Sequence, residues 1–331
     1  MNVEKDILEK GFIDKKPKNN IHILDEINKL KKEKNAIILA HYYQTSDIQD
    51  LADFVGDSLA LSQKAAKTDA DIIVFAGVHF MAETAKILSP KTKVLIPDLN
   101  AGCSLADSCP SDEFEAFIKK HPDHLVISYV NTTAKIKTLT DICCTSTNAL
   151  KIVESLPKNQ KIIFTPDKNL GSYIQRVTGR EMVIWDGACH VHEEFSLEGI
   201  LDLKKHYPDA KIISHPECQK PVQIVSDFIG STAALLKFTK SDDSKEYIVA
   251  TESGILHQME IQNPEKTYIV APSKDSTCGC NDCNFMKLIT VDKIYNTLKY
   301  ELPEVILDEK IMNKARKSID KMLEISKQFN L

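Results

Sequence analysis

Three cysteines lie at long, similar intervals in this 331-residue chain, each just past an apolar run. Cys103, Cys189 and Cys283 are separated by 86 and 94 residues. With similar spacing, the three cysteines could converge at one point in the fold. Three thiolates at one point are costly unless a cation neutralises them, and soft thiolates select zinc or an iron–sulfur cluster. A [4Fe–4S] cluster held by three cysteines leaves one iron open to bind a substrate oxygen as a Lewis acid. His192, close to Cys189 in the sequence, keeps a Cys3His zinc site open as the alternative.

Polar side chains also follow three of the apolar runs at matching positions. The three segments are His41-Tyr42-Tyr43, Tyr129-Val130-Asn131 and His215-Pro216-Glu217. An isolated histidine or tyrosine at a strand end is usually structural, but three such segments in register favour function. Imidazole titrates near neutrality, and a carboxylate two residues along a strand shares its face. His215 with Glu217, together with Tyr43, are therefore the acid–base candidates.

Small hydroxyl residues begin three helix-like segments, GDSLALSQ, TSTNALKI and GSTAALLK. The residues concerned are Ser58, Ser146 or Thr147, and Thr232. They are predicted either as plain N-caps or as anion sites, since a helix N-terminus offers N–H groups and the positive end of the helix dipole. The chain has only three arginines, so an arginine cluster is not expected to hold an anionic ligand.

The apolar runs that precede these residues predict the fold. Nine short runs, each followed by a helix-like stretch, predict parallel sheets covered by helices. His41, Tyr129 and His215 recur at intervals of 88 and 86 residues, which indicates three similar α/β lobes rather than chance spacing. In the first lobe, Ser46 and Gln49 form the pattern of a capping box. The predicted boundaries are 21–108 with an N-terminal arm over 1–20, then 109–196, 197–291, and C-terminal helices over 292–331.

The composition excludes several classes of protein. A net charge of −5 argues against nucleic-acid binding, and 43% apolar with 27% charged residues is ordinary for a soluble protein. The segment MNVEKDILEK lacks the apolar core of a signal peptide, and no apolar run reaches the roughly 18 residues of a membrane span. The chain is therefore expected in the cytoplasm. Its nine cysteines are then expected to be buried, metal-binding or catalytic rather than disulfide-bonded.

The same segments carry a family resemblance. In order and spacing, the chain resembles the quinolinate synthase family, the A protein of NAD biosynthesis, at AHYYQ, GDSLALS, AGCSLADSCP, YVNTTA, CCTSTNA, WDGACHVHEEF, SHPE, GST and CNFMK. The resemblance covers about residues 38–290. It implies an α/β fold of three pseudo-symmetric αβα lobes, each with a short parallel sheet, around a central [4Fe–4S] cluster. The implied cluster ligands are Cys103, Cys189 and Cys283.

The resemblance also implies an activity. Family members condense iminoaspartate with dihydroxyacetone phosphate to quinolinate, releasing phosphate and two waters, with the open iron assisting a dehydration. Carried over by motif, the catalytic residues are Tyr43, His215, Glu217, His41 and Tyr129. The substrate-binding residues are His41, Ser58, Tyr129, Asn131, Ser146, His192, His215, Glu217 and Thr232. Both substrates are small molecules, and an aspartate-oxidising enzyme is the implied source of iminoaspartate.

Two other classes stay open on the sequence. A diphthamide-synthesis radical enzyme also combines three lobes with a three-cysteine cluster, but it acts on a protein with adenosylmethionine. Short loops and the His-x-Tyr and His-x-Glu pairs favour a small polar substrate instead. A scaffold or redox sensor that holds zinc or a cluster is the non-enzymatic alternative, and it would leave the three sets of polar strand ends unexplained.

The stretch STCGCNDCNFMK gives an unequal prediction for its three cysteines. Cys283 directly precedes a predicted helix start, which favours a thiolate, and it matches the family position. We expect Cys283→Ser to lose bound iron, whereas a Cys278→Ser, Cys280→Ser double variant keeps it. Iron and sulfide analysis of anaerobically purified protein measures both, and iron loss from the double variant alone would identify a different ligand.

Overall fold

The structure is a computed structural model that describes residues 3–17, 22–274 and 281–331. Within these residues, parallel strands form three four-stranded sheets. The chain divides into two compact units, of which the first holds Met1–Cys103 with Asn284–Arg316 and the second Ser104–Cys283 with Lys317–Leu331. The first unit contains one sheet and the second contains two. The predicted α/β class with short parallel sheets is confirmed, while the lobe boundaries stay a prediction.

The three sheets share one strand order. Their strands are β1 (Ala36–His41), β2 (Phe54–Gly56), β3 (Ile72–Ala76) and β4 (Lys93–Leu95); β5 (Leu125–Tyr129), β6 (Ile142–Cys144), β7 (Ile162–Thr165) and β8 (Val183–Ile184); and β9 (Lys211–Ser214), β10 (Phe228–Ile229), β11 (Glu246–Ala250) and β12 (Thr267–Val270). The orders are β2-β1-β3-β4, β6-β5-β7-β8 and β10-β9-β11-β12. The same order in all three sheets agrees with the repeat seen in the sequence.

Helices cover these sheets, so the central strands are apolar on both faces. The helices are α1 (Val3–Lys10), α2 (Ile23–Glu33), α3 (Ser46–Leu51), α4 (Ser58–Lys67), α5 (His79–Leu88), α6 (Ser104–Asp107), α7 (Ser111–Lys119), α8 (Ala134–Lys137), α9 (Ala149–Ser155), α10 (Lys168–Thr178), α11 (His190–Glu193), α12 (Leu197–His206), α13 (Lys220–Val225), α14 (Thr232–Ser241), α15 (Ile255–Gln262), α16 (Val291–Tyr300) and α17 (Glu309–Gln328). Strands β3 and β7 are buried along their whole length. Unbroken apolar strands of this kind are typical of parallel sheets with two covered faces.

The sequence predicted nine strands, and the structure adds one short edge strand to each sheet. The additional strands are β2, β6 and β10, which have only two or three residues. A segment of that length shows no periodicity, so it was indistinguishable from the loop before the following helix. After β1, the chain passes through α3 and forms β2, which pairs with β1, before it enters α4.

The capping box predicted at Ser46 is wrong. Helix α3 begins at Ser46, with Thr45 as the preceding cap residue, and no side chain caps it. The amide of Gln49 instead donates to the carbonyl oxygens of Tyr42 and Gln44, at 2.9 Å each. The Gln49 side chain therefore stabilises the turn after β1 and does not cap the start of α3.

An aspartate immediately before each edge strand holds that strand in place. The aspartates are Asp53, Asp141 and Asp227, and their carboxylates accept the N–H groups of Ile38, Val126 and Ile212 at 2.7, 2.8 and 2.8 Å. Each aspartate N–H also donates to the carbonyl oxygen of the same strand residue, at 3.0, 3.0 and 2.7 Å. We call this two-bond pairing the aspartate clasp. It spans 15 residues in every sheet and repeats at the period of the lobes.

Removing one aspartate clasp should destabilise its sheet. Because Asp227 is exposed, we expect Asp227→Ala to lower the free energy of unfolding by about 1 kcal/mol, near the middle of the range for one hydrogen bond. Asp227→Asn should lose less, since its amide oxygen still accepts. Urea unfolding measures the difference, with exposed Asp243→Ala as the matched control. Equal stability of the two alanine variants would mean that the clasp contributes nothing.

Candidate active site

The His-x-Tyr and His-x-Glu segments form turns rather than strand faces. Strand β9 ends at Ser214, and the N–H of Glu217 donates back to Nδ1 of His215 at 3.3 Å. In the first unit, the N–H of Tyr43 donates to Nδ1 of His41 at 3.2 Å. The expectation that His215 and Glu217 share a strand face is therefore wrong. Because Nδ1 accepts in both turns, each neutral imidazole carries its proton on Nε2.

Glu217 lies at the centre of a buried polar network in the second unit. Its side chain is 4% exposed, and the Tyr129 hydroxyl donates to Oε1 at 2.6 Å. Nδ1 of His192 lies 3.2 Å from Oε2, and Nδ1 of His215 lies 3.5 Å from Oε1. The two imidazole rings stack with their centroids 4.7 Å apart. Three predicted residues from separate elements thus converge on one carboxylate.

Two hydroxyl residues extend this network outward. Nε2 of His215 lies 3.2 Å from Oγ of Ser146, and Nε2 of His192 lies 3.0 Å from Oγ1 of Thr251. Hydroxyl groups therefore lie within hydrogen-bond distance of the Nε2 atoms of both imidazoles that flank Glu217. Imidazole, hydroxyl and carboxylate groups arranged in this way can hold or exchange protons.

Two buried carboxyl groups in this unit have pKa values pushed in opposite directions. Burial alone would raise the pKa of Glu217, but His215, His192 and the Tyr129 hydroxyl outweigh it and lower that pKa. Burial, followed by the charge of Glu217, raises the pKa of Asp167 well above its ordinary range. Opposed shifts in neighbouring groups are typical of sites that separate an acid from a base.

Cys189 borders this network. Its sulfur, a ring nitrogen of His192 and a carboxylate oxygen of Glu217 all lie within 4.8 Å of one another. These three side chains can together hold a metal ion, as their donor types suit transition metals. The segment before Cys189 is tightly fitted, because a Cβ on Gly187 would lie 2.5 Å from the carbonyl oxygen of Pro166.

Buried carboxylates also fix the backbone of two predicted ligand cysteines. Asp167 accepts the N–H of Cys189, and Oε1 of Glu252 accepts the N–H of Cys283 at 3.0 Å. Both cysteines are half-buried and border the same apolar cluster, which includes Val191 and other core residues. Half-buried thiols in apolar surroundings fit a soft metal or an iron–sulfur cluster.

The first unit holds four of the predicted residues, His41, Tyr43, Ser58 and Cys103. His41 is buried, and the ring of Tyr43 meets it edge-on at 4.5 Å between centroids. The ammonium of Lys287 donates to the carbonyl oxygen of Tyr43 at 2.8 Å. Ser58 begins α4, and Cys103 is half-buried.

Comparison with known proteins gives the family. The chain matches the family described as Quinolinate synthetase A protein over residues 25–324. The quinolinate synthase of Chloroherpeton thalassium is 54% identical over 322 residues, covering 97% of this chain and 100% of that protein. Those of Synechocystis sp. and Thermosynechococcus vestitus are 59% and 56% identical, and each covers 92% of this chain. This chain belongs to the quinolinate synthetase A family.

Membership of the quinolinate synthetase A family confirms two predictions from the sequence. The resemblance drawn from nine motifs is confirmed, and so is the prediction of an enzyme, since the relatives are named as synthases. The radical-enzyme and scaffold alternatives receive no support from these relatives. Among the described residues, no helix has both the length and the apolar character that a membrane crossing requires.

Ser58 and Thr232, the hydroxyl residues nominated from the sequence, are not the caps of their helices. The capping side chains are those of Asp57, which accepts the N–H of Ala60, and Ser231, which accepts the N–H of Ala234. Ser58 and Thr232 are instead the first residues of their helices. The plain N-cap interpretation is therefore wrong for both, and their hydroxyl groups do not serve the caps. The hydroxyl of Thr147 donates to the cap residue Ser231 at 2.8 Å.

Sequence reasoning missed Asp167, Thr251 and Glu252. All three follow β7 or β11, each of which is the second of the three strands predicted for its lobe. The candidates named from the sequence follow only the first and third predicted strands. The rule that ligands bind beyond the carboxyl ends of parallel strands applies equally there and would have found them.

The helix predicted at NFMK is a single 3-10 turn over Met286–Leu288, so the expected helix-terminus effect on Cys283 is wrong. Cys278 and Cys280 lie outside the described residues.

Tyr129→Phe should destabilise the chain through Glu217. The variant removes one hydrogen bond to a buried carboxylate, which costs about 1.5–3 kcal/mol of unfolding free energy. The folded pKa of Glu217 lies below its ordinary value of 4.5, so this stabilisation is complete above pH 4.5. It is lost as the pH falls through the folded pKa, because the protonated group no longer attracts the hydroxyl as a charge.

Denaturant unfolding measured from pH 8 down through the folded pKa of Glu217, about 2, tests this prediction. Tyr207→Phe is the matched control, since Tyr207 is 37% exposed and the same oxygen is deleted. A Tyr129→Phe deficit that is the same at every pH would contradict the assignment to the ionised carboxylate.

Proposed function

We propose that this chain condenses iminoaspartate with dihydroxyacetone phosphate to form quinolinate, releasing phosphate and two waters. The proposal rests on family membership together with one observation, the buried network around Glu217. Forming an aromatic ring from these fragments requires several proton transfers. A carboxylate with two imidazoles and a phenol in contact can hold and return protons at neutral pH.

The acid–base residues are assigned by their contacts. Glu217 is the base, since its lowered pKa keeps it ionised, and Tyr129 is positioned to return a proton through its hydroxyl. His215 presents Nε2–H toward Ser146, and it can donate to a leaving oxygen. In the first unit, His41 and Tyr43 repeat the turn of His215 and Glu217, with a phenol in place of the carboxylate. We propose Tyr43 as a further acid–base group.

Substrate anions are bound without free arginines in this proposal. Arg180 donates to four backbone carbonyl groups, Arg176 to the side chain of Gln223, and Arg316 to the carbonyls of Ile87 and Leu88. Carboxylate and phosphate oxygens must then be met by hydroxyl, amide, imidazole and helix N–H groups. The proposed residues are Ser58, Asn131, Ser146, His192 and Thr232. Among the described residues, Oδ1 of Asn131 is buried without a hydrogen-bond partner, as expected for an atom that awaits a substrate donor.

The proposed cofactor is a [4Fe–4S] cluster held by Cys103, Cys189 and Cys283. The apolar surroundings of Cys189 and Cys283 fit such a group. When bound, it would supply a Lewis acid for loss of a hydroxyl group as water. His192 stays engaged with Glu217 and Thr251, so it is better suited to proton transfer than to completing a Cys3His zinc site.

The proposed substrates place the enzyme after an aspartate-oxidising reaction. Iminoaspartate hydrolyses readily in water because it is an imine. The aspartate-oxidising enzyme that produces it should therefore act shortly before this one. A site lined by buried groups would protect it and the later intermediates from water. The proposed location is the cytoplasm.

One anaerobic preparation tests the proposal. Iminoaspartate generated in situ and dihydroxyacetone phosphate should yield quinolinate, detected by mass spectrometry, from protein with about four iron and four sulfide per chain. Glu217→Gln should keep the iron and lose at least about 100-fold in kcat, the lower range for a general base. Exposed Glu198→Gln is the matched control and should match wild type. Stoichiometric zinc without sulfide, or a fully active Glu217→Gln, would contradict the proposal.

A further inference from the structure

A side chain from the helix after each first strand reaches back to the turn that carries the site residues. In the first unit, Gln49 donates to the carbonyl groups on either side of Tyr43, at 2.9 Å each. In the second unit, Gln223 donates to the carbonyl groups on either side of Glu217, at 2.8 and 2.7 Å. Both glutamines are buried, and each fixes the two peptide planes next to a proposed acid–base residue.

The middle repeat performs the same task with a charged residue. Lys137 lies 88 residues after Gln49 and 86 before Gln223, and its ammonium donates to the carbonyl groups of Val130, at 2.8 Å, and Thr132. These two residues flank Asn131. The Lys137 side chain is 0% exposed. An ammonium group therefore replaces a carboxamide at the equivalent buried position.

The substitution needs a physical reason, because geometry alone does not require it. A carboxamide has the two N–H donors that the turn needs, as Gln49 and Gln223 demonstrate. Burying an ammonium costs more than burying an amide, and only the second repeat carries this cost. Beyond the hydrogen bonds, lysine offers one thing that glutamine lacks, a full positive charge directly beneath the turn that presents Asn131.

We propose that Lys137 is a positioning residue for the second repeat, which holds the turn of Asn131 and attracts an anionic substrate group to it. The anionic group is a carboxylate or a phosphate, the two kinds present in the substrates proposed above. The identity of the substrates rests on the proposed function, whereas the support that Lys137 gives to the turn rests on its hydrogen bonds alone. Lys137 acts by holding the turn and through the electric field of its positive charge. It does not transfer protons.

Two substitutions separate the effect of the two hydrogen bonds that Lys137 donates from the effect of its charge. Lys137→Gln restores the residue found in the other two repeats, so it should keep the turn, the iron content and kcat within about twofold. It should raise KM for one of the two substrates by about tenfold, which corresponds to about 1.4 kcal/mol. Lys137→Met removes both functions, so kcat should fall as well. Lys135→Gln, on the same short helix but exposed, is the matched control for a lost surface charge.

A binding measurement keeps this test independent of turnover. Inorganic phosphate and L-aspartate are titrated against each variant, and the shift in melting temperature is followed. Lys137→Gln should weaken the response to one of the two, and Lys135→Gln should leave both unchanged. The arm that weakens distinguishes a phosphate from a carboxylate as the anion. A wild type that forms no quinolinate yet shows this pattern would contradict the proposed function and still support the role of Lys137.

Two outcomes overturn the inference. Lys137→Gln with wild-type KM for both substrates and unchanged phosphate and aspartate responses would show that the charge is unused. Loss of iron, stability and kcat together in Lys137→Gln would show that lysine is needed only to fold the chain. If Lys137→Met does not fold, Lys137→Gln alone decides between these results.

Discussion

The constraint on which this molecule depends is a carboxylate charge that has been taken out of water. Glu217 is almost fully buried, and an ion in such a place must be paired and hydrogen-bonded or it destabilises the fold by several kcal/mol. Its partners come from the end of β5, from α11 and from its own turn after β9. Satisfying one charge therefore fixes the relative positions of two sheets within the second unit. The same groups that stabilise the charge are the ones able to exchange protons with it.

Several polar side chains of this chain hydrogen-bond to its own backbone instead of pointing into a site. The arginines bind carbonyl and amide oxygens, and buried amide or ammonium groups hold the turns that carry the site residues. In the proposed function, hydroxyl, imidazole and helix N–H groups bind the anionic groups of the substrates, together with the buried charge of Lys137. Hydrogen bonds from these groups are directional and short-ranged, so they favour substrates of one shape.

The sequence predicted the parts of the fold that repeat over long runs and missed those carried by single contacts. The nine predicted strands and their common period were visible because apolar runs and regular spacing can be read from the sequence alone. Strands β2, β6 and β10 were invisible because two or three residues carry no period. The side-chain contacts of Gln49 were misassigned because its pattern matches a capping box equally well.

The site was predicted by its residue types and only partly by its geometry. Polar residues at strand ends nominated Tyr129, His215 and Glu217 as candidates, and the structure joins these three in one network. The turn in which Glu217 bonds to His215 differs from the strand alternation that was assumed. Asp167 and Glu252 also follow strands, but their role in accepting a cysteine N–H leaves no signature in the sequence.

The aspartate clasps have a consequence for how the chain folds. Each closes a loop of only 15 residues, so the entropy lost in forming it is small and can be recovered before any distant contact exists. Contacts of such short separation form fast, whereas pairing across a whole sheet is slow. Each repeat can thus register its edge strand against its first strand on its own. Folding from three local nuclei keeps unpaired strand edges short-lived, which limits the exposure that leads parallel sheets to aggregate.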